Sequence, residues 1–228
     1  MAITLGDMEF DSVNTAVKET HEEVGGRRGR VVELSGLIVG LSTVAAVHAV
    51  LDAVLSAASA EDYSAALSLR QGRRLWVRRT EFVRHVNPEA LTGSFLLKLG
   101  SLNPFEESTA LNNVSWSVSA PVDTIALSTV GTAPALPAIR LTALGNLINP
   151  SFSDGVKSIS YAGTLAPSDV LIFDSAAGIV TLNNDDVTPY VSGDFPEIAV
   201  TGSVFTYTDA PGSSHLASIS IEYRDRWW

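Results

Sequence analysis

Four histidines, His21, His48, His85 and His215, are the first residues to weigh for chemistry, and they stand far apart in the chain. No two share the short spacing that brings imidazoles onto one metal ion. His48 falls within a helical pattern, where it reads as a polar boundary position. The chain has no cysteine, which excludes a thiol nucleophile, a disulfide framework and a thiolate metal site. It also has no GxSxG elbow, no phosphate-binding P-loop and no GxGxxG following a strand. Carboxylates are more plentiful. Asp169, Asp174, Asp185, Asp186 and Asp194 crowd one region, and two converging acids would suffice for glycoside hydrolysis. That reading requires a shared cleft and separated pKa values. Their turn-rich surroundings favour another role, because an aspartate in a turn bonds nearby backbone amides. Asn183-Asn184-Asp185-Asp186 offers oxygen ligands but lacks the EF-hand spacing. No catalytic residue, metal site or cofactor is therefore expected.

Two arginine clusters remain. Residues 25–30, GGRRGR, read as a flexible basic loop. Residues 73–79, RRLWVRR, set Trp76 among four arginines, a combination able to stack bases or grip phosphate. Charge bookkeeping along the chain argues for a different use. Residues 1–98 carry 11 basic and 12 acidic side chains, whereas residues 99–228 carry 4 and 13. The first part is near neutral and the second is acidic, and an acidic surface repels nucleic-acid phosphates. Arginine and tryptophan are enriched at protein interfaces. Arg73, Arg74, Trp76, Arg78 and Arg79 are accordingly expected at a subunit interface. The C-terminal Trp227-Trp228 pair must also be covered, by its own domain or by a neighbouring subunit.

These residues need elements to position them. With 228 residues, 46% of them hydrophobic and 18% charged, the chain is globular and long enough for one large domain or two small ones. The N-terminus lacks the basic-then-apolar pattern of a secretion signal. The most apolar window, residues 36–60, is interrupted by His48 and Asp52, so no membrane span is expected.

Residues 31–40 read as a strand broken by glycines. A helix over residues 43–60 follows, capped by Ser42 or Thr43, with Val44, Val47, Val50 or Leu51, Val54 or Leu55, and Ala58 forming one apolar stripe. Residues 73–86 and 93–101 read as strands. Asn103-Pro104-Phe105 then interrupts the pattern, and the domain boundary is placed at 105/106.

Beyond it no helical period appears. Short apolar runs at 115–119, 124–129, 139–144, 158–161, 170–173, 179–182, 199–208 and 216–223 alternate with Gly, Pro, Asn and Asp turns. Such spacing implies an antiparallel sandwich or barrel. In the last run Ala217, Ile219, Ile221 and Tyr223 are expected to face the core.

The same residues carry a family resemblance. Ala138-Ile139-Arg140-Leu141-Thr142, Ile148-Asn149-Pro150-Ser151, Ile159 to Leu165, Asp169 to Asp174, Val180-Thr181-Leu182-Asn183 and Tyr223 to Trp227 together resemble the galectin-like C-terminal domain of phage distal tail proteins. In the first half, Gly29-Arg30, Leu37-Ile38-Val39-Gly40, the helix, the arginine-rich strands and Leu99 through Phe105 resemble the ring-forming N-terminal domain of that family. The sequence departs from the pattern at Asn184-Asp185-Asp186, where family members often carry glycine.

The resemblance implies a mainly β chain. An N-terminal β-sheet or sandwich domain with one packed helix (1–105) would precede a galectin-like antiparallel β-sandwich (106–228). It implies a structural protein of the virion tail tip, assembled in the host cytoplasm. Such proteins form homo-oligomeric, typically hexameric, rings that join the tail tube protein to hub, fibre or baseplate proteins. DNA passes through the ring without being specifically bound, so the arginines at 73–79 are expected to avoid the channel or to be paired. The alternative is a carbohydrate-binding β-sandwich, with Trp116, Tyr161, Tyr190, Tyr207 and Trp227 as candidates to stack on a sugar ring.

Overall fold

The computed structural model of the protein describes residues 2–11, 13–24 and 27–228. The chain divides into two compact units, residues 1–109 together with Trp228, and residues 110–227.

The first unit is one antiparallel sheet with a helix on one face. Its strands are β1 (Ile3–Leu5), β2 (Met8–Phe10), β3 (Thr15–Val24), β4 (Arg27–Ile38), β5 (Ala65–Ser68), β6 (Arg73–Asn87), β7 (Thr92–Ser101) and β8 (Glu106–Ser108). They are arranged β2-β1-β5-β6-β7-β4-β3, and β8 pairs with the start of β6. The helix α1 (Val44–Ala57) follows from its sequence: the Thr43 hydroxyl accepts the Ala46 amide at 3.1 Å, and Val47, Leu51 and Val54 turn inward. It ends three residues before the expected Ala60. The helix rests close on β7, where a Cβ at Gly93 would run into the side chain of Val47. Leu34, Leu97, Leu99 and Val32 complete the core beneath it.

The β3–β4 hairpin corrects the expectation of a loose basic loop. Gly25 and Gly26 lie outside the described residues. Strand β4 begins at Arg27, however, and Arg30 is buried within it. Sequence patterning missed β3 altogether. It lies at the edge of the sheet, exposed on much of both faces, so burial imposes no alternation on TAVKETHEEV. At the chain end, Trp228 groups with this unit and lays its ring on Phe105, centroids 4.2 Å apart.

The second unit is an antiparallel sandwich. One sheet runs β10 (Val122–Leu127), β20 (Ser203–Thr208), β13 (Ser151–Ser153), β14 (Ser158–Tyr161) and β19 (Val191–Gly193). The other runs β18 (Asp185–Asp186), β17 (Ile179–Leu182), β16 (Val170–Asp174), β11 (Ala138–Ala143), β21 (Ala217–Tyr223) and β9 (Asn112–Val118). The short pair β12 (Leu147–Ile148) and β15 (Thr164–Leu165) stands apart.

Rings from both sheets meet between them. Phe152 stands edge-on to Phe173 at 5.4 Å and to Tyr207 at 5.6 Å, with Trp116 beside them. Each of these rings brings roughly 150–250 Å² out of water. On β21 the four apolar residues face inward as their alternation requires. The 199–208 run becomes a strand only at Ser203, because Ala199–Gly202 closes a turn that needs Gly202 at φ +88°. In the turn between β17 and β18, Asn183 and Asn184 take left-handed backbone, φ +50° and +75°. Asparagine tolerates that conformation, which explains how the turn survives without glycine.

Candidate assembly surface

Three of the carboxylates read as possible catalysts, Asp169, Asp174 and Asp186, are spent on turns. Asp174 Oδ1 accepts the amides of Ala176 and Ala177, both at 2.9 Å, and so shapes the β16–β17 hairpin. Asp169 takes the Asn183 side-chain amide at 2.8 Å and the Ala166 amide at 2.8 Å, and these bonds hold its pKa below the ordinary carboxylate value. Asp186 is lowered likewise by Thr188. Burial works against Asp154, yet the amides of Glu197, Lys157 and Val156 keep it ionised below its usual range. Among the described residues, no cluster of three or more His, Asp or Glu is arranged to hold a metal ion. His48 lies exposed on the helix, as a polar boundary position would.

The sugar-stacking candidates are corrected by burial. Trp116, Tyr161 and Tyr207 belong to the sandwich core, where each ring is packed rather than presented. Tyr190 alone of the five is exposed, at 63%. A sequence reading could not separate them, since core and surface aromatics look alike until the strands are placed.

The arginine cluster divides in two. Arg73 and Arg74 lie where β6 meets β8 and bind inside the chain. Arg73 Nη1 is 3.6 Å from Glu106 Oε2, and Arg74 lies over the Trp76 ring at 4.5 Å with Glu107 at 4.0 Å. Glu106 is buried, and so is Arg30 facing it at 3.8 Å. Arg70 bonds Glu106 at 2.6 Å and Glu19 at 3.0 Å, while Arg30 also bonds Glu19 and the Pro104 carbonyl. Burial pushes the Arg30 pKa down, and Glu106 opposes it. The network ties β3, β4 and β8 and the turn before β6 together. No sequence signal links Glu19, Arg30, Arg70 and Glu106, because strand order alone makes them neighbours.

Arg78 and Arg79 look outward instead. Arg78 stacks over Tyr63 at 4.7 Å and reaches the Glu61 carbonyl at 3.5 Å. Arg79 has no ion pair among the described residues, and both line a cleft of about 330 Å³ beside residues 58–61. Here β6 changes character. Its pairing with β5 stops at Val77, while β7 pairs with it from Arg78 to Asn87 across a bulge near Thr80. One side of a ten-residue stretch is thus left open among the described residues. Among the described residues strand β3 pairs only with β4, so the other end of the β6-β7-β4-β3 segment is open there as well.

The face of that segment turned away from α1 carries an ordered row of charge. Lys18 lies opposite Glu33, Glu33 opposite Lys98, and Lys98 opposite Glu81. The Lys98–Glu81 pair closes to 2.8 Å, and this bond raises the lysine's pKa, with Glu33 and Glu22 adding to it. Opposite charges directly across neighbouring strands attract, and salt screens that attraction on an exposed face. The same face holds a shallow hollow of about 650 Å³ that includes Leu37, Val83 and Leu96.

Residues 130–227 match the family described as siphovirus-type tail component, C-terminal domain. Among solved structures, the chain is similar in fold to SPP1 Dit (gp 19.1), whose crystal structure is described as a paradigm of the hub adsorption apparatus in phages infecting Gram-positive bacteria. The TM-score is 0.69 at 11% identity, covering 100% of this chain and 99% of that one. No curated protein sequence matches the chain.

Proposed function

We propose that this chain, a siphovirus-type tail component in its C-terminal unit and a distal tail protein in its fold throughout, forms the ring that joins the tail tube to the host-recognition or baseplate apparatus of a long-tailed phage. Its place is the tail of the virion, and its task is to hold neighbours in register rather than to break bonds. It assembles in the host cytoplasm before joining the particle. The first unit builds the ring, and the galectin-like second unit stands at its periphery to offer attachment surfaces for fibre or baseplate proteins.

The observation that carries this reading is the pair of open edges on the β6-β7-β4-β3 segment. Unpaired strand edges seek partners unless they are blocked. Neighbouring strands in this segment are antiparallel, so β6 of one copy can add to β3 of the next in the same sense. Repeated head-to-tail, that contact closes a ring if its rotation is right. Six copies would contribute twenty-four strands. At about 4.8 Å per strand and a tilt of roughly 40°, the backbone barrel is about 50 Å across, leaving a bore of about 40 Å inside the side chains. A double helix fits within such a bore.

The Lys18–Glu33–Lys98–Glu81 row supports DNA passage if it faces the bore, since paired charges give phosphate little to hold. Arg73 and Arg74 are engaged within the chain, which leaves Arg78 and Arg79 as the residues of that cluster available to a neighbouring copy. Mass photometry of the purified protein, with negative-stain imaging, tests the reading. Rings of about 145 kDa, six chains of 24.1 kDa, are expected; a monomer that persists at high concentration would overturn it.

A further inference from the structure

The two open edges match in length and oppose in charge. The free stretch of β6, residues 78–87, carries Arg78, Arg79 and Arg84 against Glu81, for a net charge of +2. Strand β3, residues 15–24, carries three glutamates against Lys18, for a net charge of −2. Each stretch spans ten residues. Some of these charges are already committed: Arg84 bonds Asp52 on α1 at 2.6 Å, Glu81 bonds Lys98, and Glu19 belongs to the buried network. Arg78 and Arg79 on one edge and Glu22 on the other remain outside any ion pair given by the described residues. Glu22 does accept the Thr20 hydroxyl at 2.9 Å.

Backbone hydrogen bonding cannot choose among the ways two copies could meet. An antiparallel β6–β6 dimer, an antiparallel β3–β3 dimer and a β6–β3 ring contact would satisfy similar sets of amides and carbonyls. Either dimer is two-fold symmetric and consumes an edge the ring needs. Charge does discriminate. The first dimer sets +2 against +2 and the second −2 against −2, whereas the ring contact sets +2 against −2. At physiological ionic strength the screening length is about 8 Å, longer than the spacing of adjacent strands, so these charges are felt across the seam.

Building on the ring reading above, we propose that the edge charges steer assembly: the arginine edge of β6 accepts the glutamate edge of β3 from a second copy, and each edge rejects its own kind. Like-charge rejection of wrong partners is the common means by which interfaces gain specificity.

The test uses full-length chains and mass photometry across protein concentration and salt. Arg78→Glu with Arg79→Glu turns the β6 edge to −2 and is expected to raise the concentration for half-assembly at least tenfold. Glu22→Lys brings the β3 edge to zero and is expected to give a smaller rise. Mixed together, the two variants should form rings again, because each alternate seam is native and the others are neutral. High salt should weaken the wild-type ring and relieve the repulsion in the arginine variant. Circular dichroism confirms that each variant folds; should the reversal fail to fold, Arg79→Gln alone with the salt series reads the same effect at smaller size. Wild-type rings that are indifferent to salt and to both variants would overturn charge steering while leaving the ring intact. Wild-type chains that never form rings would overturn both readings.

Discussion

The two units put their polar groups to opposite uses. In the first, charges pair with charges: Arg30, Arg70 and Arg73 gather around Glu106 and Glu19, and lysines alternate with glutamates across four strands. In the second, carboxylates mostly bond backbone amides at turns, and cohesion comes from aromatic rings meeting between two sheets. The difference teaches what each unit is shaped for. Turn capping and a closed core complete a sandwich within one chain. In the ring proposed above, the open edges of the charge-laced sheet would be completed by another copy.

The sharpest way to break this contrast is to remove one centre from each unit. Glu106→Ala leaves Arg30 buried with one of its two counter-charges gone, and removes the acid that Arg70 and Arg73 also pair with. It is expected to lower the stability of the first unit by about 3–5 kcal/mol, read as faster hydrogen exchange in β4, β6 and β8 while the sandwich stays protected. Phe152→Ala opens a cavity among the rings and should cost about 3–5 kcal/mol in the second unit alone, with exchange rising in β13, β16 and β20. If either variant loosened both units equally, the division of labour drawn here would be wrong.

A smaller effect is expected at Gly131. A Cβ there would overlap the Arg226 backbone rather than a yielding side chain, so Gly131→Ala should destabilise the second unit by roughly 1–3 kcal/mol in a denaturant titration.

The least effect concerns acid. Asp154 and Asp169 have pKa values held below the ordinary 3.8 in the folded chain. Their contribution is complete above that value and is lost as pH falls through their lower folded values. Thermal midpoints of the second unit should therefore drop as pH falls below the ordinary carboxylate value of 3.8. Asp169→Asn should flatten that drop, and an unchanged slope would remove the carboxylate from the account.

Legibility followed the physics of burial. Helix α1 could be read because its apolar stripe recurs with the helical period, and β21 because a half-buried strand must alternate. Strand β3 could not be read, since an edge strand open on both faces has no such constraint. GGRRGR looked loose because its glycines and charges carry no sign that Arg30 is drawn inward by Glu19 and Glu106. Of the five expected interface residues, the sequence placed all on one strand but could not tell Arg73 and Arg74, ion-paired within the chain, from Arg78 and Arg79, which form no ion pair among the described residues. Trp116 and Tyr207 misled in the opposite direction, as core rings taken for surface ones.

Composition and patterning by themselves determined a mainly β chain with one packed helix and an acidic second half, because periodicity and turn chemistry act over a few neighbouring residues. Only the tertiary structure decided which strand edges stay open, which arginines are already paired and which aromatics are buried. Those outcomes depend on strand order, which joins residues as distant as Arg30 and Glu106 and leaves no trace in local spacing.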